Sequence, residues 1–322
     1  MNAKENLMRV IRHDHPQWVP NGLEAVDTIE PPIIGRPYEA GNDPWGVPWS
    51  YEKGAEGGTY PAYNGHPIKD LHRWREQITM PRITGLDWSA QLARAGKVNR
   101  QEFLQVAFIH MGLFERSYLL LGMDEALVGY MTDPEDMSNL IATLADYKIA
   151  LIREFHRHIP IDMVWFGDDW GTQLNLFMPP ATWRQIIKPH AKRIFDAIHE
   201  LGALVNLHSC GKIEAVFEDI VEIGADIWNP CQPCNDLARL KKRFAGRITF
   251  CGGIDSQFVL ARPGVTTDEV RAEVRKRIDE LAEGGGYIAN PSHGVPYDQA
   301  LINAMHDEIA IYGRQFYSKT KP

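Results

Sequence analysis

From about residue 100 onward, short apolar runs alternate with amphipathic stretches, and this alternation constrains the fold more than any other feature of the chain. Gln105–His110, Met163–Phe166, Leu204–Leu207, Asp226–Asn229, Ile248–Cys251 and Tyr287–Asn290 carry apolar residues at consecutive positions, as strands covered on both faces do. Helical sequence separates them. It runs ahead of Tyr130, then from Asp133-Pro134-Glu135 to about His156, and over Pro180–Leu201 with a kink expected at Pro189. Further helices are expected over Ile213–Ile223 and Asp236–Phe244, from the capping box Thr266–Glu269, and over Tyr297–Tyr312. Strand-helix alternation of this kind predicts a parallel sheet. Six strands are clear, and Trp18–Ala25 reads as a seventh, leaving one for an eight-stranded barrel. An open doubly wound sheet competes, but no glycine-rich nucleotide fingerprint follows any strand. The expectation is an α/β fold, a single (β/α)8 TIM-type barrel domain over residues 1–322.

Residues 31–67 break the pattern. They hold seven prolines and seven glycines, with Tyr38, Trp45, Trp49, Tyr51, Tyr60 and Tyr63 among them. A flexible linker lacks so large an apolar load, so this is an irregular, ordered extension. Two placements are open: a cover on the bottom of the barrel, or a lid over its mouth offering aromatic walls to a substrate.

Charge bears on partners. Thirty-four Lys+Arg against 42 Asp+Glu give a net charge of −8, and no long basic run is present, which argues against a nucleic-acid or anionic-membrane surface. No uncharged apolar run approaches the roughly 18 residues of a membrane span, and the first residues carry charges where a signal peptide needs an apolar core. A cytoplasmic protein is expected.

The active site of a parallel barrel lies at the carboxyl ends of its strands, and this rule selects the candidates. The segments there are Asp168-Asp169-Trp170-Gly171-Thr172-Gln173, His208-Ser209-Cys210-Gly211, Cys231-Gln232-Pro233-Cys234, Cys251-Gly252-Gly253-Ile254-Asp255 and Ser292-His293-Gly294. All four cysteines fall on this rim, and in a reducing compartment such clustering points to metal or catalysis more than to disulfides. His208 and Cys210 stand two apart on a strand, so imidazole and thiolate share a face and can converge on one zinc ion, with Cys251 or His293 as third ligand. The plain alternative is a buried cysteine and a histidine bonded to backbone. Asp168 and Asp169 are a general base, a metal ligand or caps of the following turn. Asp255 follows two glycines that admit a ligand close to the backbone. Glu24, His110, Trp170 and Gln173 are the candidate substrate contacts, although for Glu24, His110 and Glu115 a structural role is the plainer reading. Cys231-x-x-Cys234 reads as a strand-to-helix turn.

The ordered series Glu5-Asn6-Leu7-Met8-Arg9, Val19-Pro20, Gly167-Asp168-Asp169, His208-Ser209-Cys210-Gly211, Gly252-Gly253-Ile254-Asp255 and Asn290-Pro291-Ser292-His293-Gly294 resembles the uroporphyrinogen decarboxylase superfamily. The resemblance covers most of the chain and implies the (β/α)8 barrel, often as a homodimer. True uroporphyrinogen decarboxylases carry an arginine-rich segment near the N-terminus. Here Val19–Thr28 has no arginine and carries Glu24 and Asp27, a mouth that repels a polycarboxylate. The cobalamin-dependent methyltransferase branch has a zinc site with a His-x-Cys-Gly segment, which His208 and Cys210 match. In its coenzyme M members a cysteine after the last strand completes the site, where this chain has His293. The resemblance thus implies a zinc-dependent methyltransferase exchanging a methyl group between a small donor, such as a methoxyaromatic, and a corrinoid (cobalamin) on a separate protein. A metal-independent carboxy-lyase on the same barrel is the alternative.

Overall fold

The computed structural model describes residues 1–22, 24–53, 58–294 and 298–319. Its main sheet has seven strands in chain order: β1 (Val26–Ile29), β2 (Leu104–Ile109), β3 (Met163–Gly167), β4 (Leu204–His208), β5 (Ile227–Asn229), β6 (Thr249–Ile254) and β7 (Tyr287–Pro291). Every pairing is parallel, and the register sets Trp165 opposite Asn206 and Gly167 opposite His208. The gap between β7 and β1 is crossed by one parallel bridge, Asn21 to Ala289, in which Gly22 N–H donates to Ala289 O and Ala289 N–H to Pro20 O. The sheet is therefore the curled wall of a TIM-like (β/α) barrel. Among the described residues, the bridge stands where an eighth strand was expected.

The expectation of a strand over Trp18–Ala25 is corrected. The first strand begins at Val26, because Glu24 holds the preceding turn by accepting from Trp18 Nε1 (2.8 Å) and Asn21 N–H (3.3 Å). The expected kink near Pro189 falls at Ile187, between one helix over Pro180–Ile186 and another over Lys188–Glu200. Proline lacks an N–H, so the chain restarts a helix where Pro189 falls in its first turn. Thr266 and Glu269 form the expected capping box. Tyr297, the expected start of the last helix, lies outside the described residues, and that helix runs Gln299–Glu308.

The two ends of the barrel are closed differently. At the amino ends of the strands, the helix Ala3–Ile11 pushes Leu7, Val10 and Ile11 into a layer with Leu104, Val106, Met163, Ile227, Cys251 and Ile288. At the carboxyl ends sit the described residues of the segment 31–67, beside His110 and the end of β2, which favours the placement at the mouth. It forms a small antiparallel sheet of Gly41–Asn42, Pro48–Tyr51 and Thr59–Pro61. Trp45 and Trp49 are buried under it, whereas Tyr38, Tyr51, Tyr60 and Tyr63 are exposed. Asp43 fastens it to the barrel through a fully buried ion pair with Arg116 (2.6 Å). Of its aromatic residues, Tyr38 and Trp45 line a cavity there.

Candidate metal centre

Two-residue periodicity along β4 turns Asn206 and His208 inward, and the chain leaving the strand brings Cys210 back beside the imidazole. Cys210 Sγ lies 3.4 Å from His208 Nε2, and Asp169, at the end of the neighbouring β3, sets its Oδ1 3.7 Å from the same nitrogen. One ligand atom from each of the three falls within 4.8 Å of the others. In tetrahedral zinc coordination, bonds of about 2.0–2.3 Å separate neighbouring ligand atoms by roughly 3.3–3.8 Å. The trio therefore fits three corners of a zinc site and leaves the fourth open. Asp169 is aimed by accepting the Cys210 backbone N–H (2.8 Å). His208 is aimed from its other side, where Nδ1 meets Asn229 Oδ1 at 2.5 Å, directing Nε2 to the metal position.

The loops that carry the trio are locked by glycines. Gly211 has φ +85°, and a Cβ there would lie 2.2 Å from the Gly171 backbone. That close approach lets Gly171 N–H bond to Cys210 O (3.2 Å) and Lys212 N–H to Thr172 O (2.8 Å), joining the end of β3 to the end of β4. The glycine after the cysteine is thus required by packing.

Burial depresses the His208 pKa, keeping the imidazole neutral as a ligand must be. Burial and then Asp169 push the Cys210 thiol well up, the direction that a bound cation reverses. Beside them Glu115 is 5% exposed, with Oε2 unpartnered among the described residues. Burial, then Asp169 and Asp168, push its pKa well above the usual carboxylate range. Trp165 tilts against His208 (4.5 Å between ring centres) and stacks on Phe108 (4.1 Å), making an aromatic wall. His110, at the end of β2, meets the edge of Trp165 (5.6 Å), and burial, the leading cause, lowers its pKa to about 3.

The remaining sequence candidates separate by place. Asp168 is fully buried, accepting from Phe114 N–H (3.2 Å), Glu115 N–H (3.0 Å) and Trp170 Nε1 (2.8 Å), so it caps the helix Phe114–Leu121 that follows the neighbouring β2. Asp255 caps the turn after β6, accepting from Gln257 and Phe258 N–H. Trp170 is a core residue packed edge-on against Trp183 (5.0 Å). Gln173 lies exposed on the loop. Glu24 shapes the turn before β1, as described above. Cys251 is buried in the barrel with its Sγ 3.5 Å from Asn229 Nδ2, on the far side of that amide from His208. His293 sits at the rim, bonded through its backbone to Ser256 Oγ (2.9 Å) and near enough to weigh on His208. The structure therefore brings together Asp169, His208 and Cys210, and neither Cys251 nor His293 joins them. Asn229, Trp165 and Glu115 were missed as site residues. Period-two inward positions on β3 and β5 would have flagged Trp165 and Asn229, whereas Glu115 was marked by its place near a strand end and read as structural.

Comparisons with known proteins bear on the family and the fold. The family model described as uroporphyrinogen decarboxylase (URO-D) matches residues 110–306, more than half of the chain. A uroporphyrinogen decarboxylase of Methylococcus capsulatus is 25% identical over 201 residues, covering 56% of this chain and 51% of that protein. The methylcobamide:CoM methyltransferase MtaA of Methanosarcina barkeri is 28% identical over 118 residues, 37% of this chain and 32% of that one. The matched stretch spans about half or less of these relatives' own lengths. A methyltransferase structure from Methanosarcina mazei superposes with a TM-score of 0.71 at 15% identity, covering 97% of this chain and 99% of that one, and so shares its fold. Among the described residues, no helix is long and apolar enough to cross a membrane. The chain belongs to the uroporphyrinogen decarboxylase family.

Proposed function

We propose that this protein is a zinc-dependent methyltransferase that moves a methyl group between a small donor, a methoxyaromatic in our reading, and a corrinoid held on a separate protein. The observation that carries the proposal is the Asp169–His208–Cys210 trio at the carboxyl ends of β3 and β4, with atoms 3.4 and 3.7 Å apart and a fourth position open. The likeness to a methylcobamide:CoM methyltransferase supports it. Zinc bound there supplies Lewis-acid chemistry, activating a thiol or polarising an ether oxygen.

The chain's own residues do the rest. Asn229 fixes the His208 ring so that Nε2 faces the metal position, and Cys210 gives up its thiol proton as it becomes a ligand. Asp169 is held by the Cys210 N–H and contributes the second negative charge. Trp165 and Phe108, stacked on each other, offer an aromatic surface beside the trio to an aromatic donor.

The test is elemental analysis paired with methyl transfer to free cobalamin. Wild type should hold about one zinc per chain, and Cys210→Ala should lose both metal and transfer. Full zinc and full transfer in Cys210→Ala would sink the proposal. A metal-free wild type that releases CO2 from a carboxylated substrate would replace it with the carboxy-lyase reading.

A further inference from the structure

Where the segment 31–67 meets the end of β2 and the helix Pro134–His158, a cavity of about 240 Å³ lies at the barrel mouth. Ile33, Ile34, Trp45, Phe108 and Leu151 give it an apolar wall. The charged groups that border it are engaged within the chain. Arg116 is held by Asp43 (2.6 Å) and Gly35 O (2.8 Å), and Arg36 by the Thr59 hydroxyl (3.0 Å). Lys148 donates to His110 O (2.7 Å), and Glu30 accepts from the Tyr38 hydroxyl (2.6 Å). The His110 imidazole, with its pKa lowered to about 3, is neutral. A buried ionic ligand needs a partner charge, and among the described residues this wall keeps none in reserve. The cavity therefore suits an uncharged molecule.

Size and surface narrow the choice. An apolar cavity of about 150 Å³ holds one benzene, whereas sites for drug-sized ligands run to roughly 300–1,000 Å³. A cavity of about 240 Å³ fits a single ring with one or two small substituents. Phe108 stacks on Trp165 (4.1 Å between ring centres) and Trp45 meets Tyr147 edge-on (4.7 Å), so the cavity borders two aromatic clusters. Aromatic pairs are favoured beyond the area they bury, which selects a ring over an aliphatic body of equal size.

The cavity also has a side entrance. An outer groove of about 470 Å³ is lined by Thr28, Ile29, Ala90, Gln91 and Arg94, and it adjoins the cavity because Glu30, Tyr38 and Phe108 line both. The Tyr38–Glu30 hydrogen bond ties two of these three shared residues together. Tyr38 is 69% exposed, so its ring can move aside without breaking the packed core.

We propose that this cavity is a pocket for one uncharged aromatic ring, walled by Ile34, Trp45 and Phe108, and entered from the side groove past the Tyr38–Glu30 hydrogen bond, which acts as its gate. That the ring belongs to the methyl donor rests on the methyltransferase reading; the pocket and its gate do not.

Calorimetric titration of metal-free and zinc-loaded protein with methoxybenzene, methoxycyclohexane and 4-methoxybenzoate tests the pocket. Methoxybenzene should bind about tenfold or more tighter than 4-methoxybenzoate, whose carboxylate would lose its water without gaining a partner. It should bind about fivefold tighter than its saturated counterpart. Ile34→Trp, which fills the cavity, should weaken methoxybenzene by about tenfold or more, while Ile34→Leu, which keeps the volume, should bind as wild type. Near-ultraviolet spectra check both folds, and Ile33→Trp replaces Ile34→Trp if that variant loses the native spectrum. For the gate, Tyr38→Phe should speed the binding and release of methoxybenzene alike, each by about fivefold in stopped-flow tryptophan fluorescence, with affinity unchanged. No saturable binding of methoxybenzene, equal or tighter binding of the acid or of methoxycyclohexane, or wild-type binding by the filled variant would each overturn the pocket. Unchanged rates in Tyr38→Phe would overturn the gate. If methoxybenzene binds as expected but zinc-loaded protein transfers no methyl from it to free cobalamin, the pocket stands and its assignment to the methyl donor falls.

Discussion

At the scale of single residues, the site depends on groups that touch no metal position. Asn229 bonds His208 Nδ1 through its oxygen and approaches Cys251 Sγ through its nitrogen (3.5 Å), so it decides which imidazole nitrogen faces the trio. Asn229→Ala should lower zinc affinity by about 10- to 100-fold, the usual cost of losing such a support. Competition with a chelator measures it, and an unchanged affinity would remove Asn229 from the site. His208 and Cys210 were legible in the sequence, because alternation along a strand puts positions i and i+2 on one face. Asp168 and Asp169 were not separable there. Adjacent carboxylates leave a strand end in opposite directions, and which one meets the imidazole depends on where the helix Phe114–Leu121 lies.

At the scale of elements, that helix explains Asp168. Its first N–H groups have no partner within the helix, and the carboxylate reaching across from the end of β3 supplies one. Asp168→Ala strands two backbone donors and the Trp170 indole, and should cost about 2–4 kcal/mol in chemical denaturation. A loss under about 1 kcal/mol would show that water replaces the cap. The junction of the β3 and β4 loops is the second element-level device. Gly211→Ala forces a Cβ to within 2.2 Å of the Gly171 backbone at φ +85°, so the loops must part. That variant should fold with reduced stability and bind zinc more weakly than wild type, seen by thermal melting and metal analysis. Normal zinc binding would show the loops to be independent.

At the scale of the whole molecule, the barrel is a sheet whose last gap is crossed by one bridge, plugged below by Leu7, Val10 and Ile11 and roofed by the segment 31–67. The roof is fastened by Asp43, which takes the Trp45 and Val47 N–H groups on Oδ1 (both 2.9 Å) and Arg116 on Oδ2. Breaking a buried ion pair leaves a charge stranded, so Asp43→Asn should cost about 3–5 kcal/mol. Faster amide exchange should appear in residues 41–51 with zinc content unchanged, since the trio lies on other elements. Protection equal to wild type would mean that the apolar packing of Trp45 and Trp49 holds the roof alone.

The sequence by itself determined the order of strands and helices, the parallel sheet and the pair His208 and Cys210. Each follows from local periodicity, in which side chains two apart on a strand or three to four apart on a helix share a face. Tertiary structure alone decided that Asp169 rather than Cys251 or His293 stands beside that pair, that Asp168 serves a helix, and that Asp43 of the aromatic segment pairs with Arg116. These relations join residues far apart in the chain, and their distances are set by barrel curvature and helix placement, which no short stretch of sequence encodes.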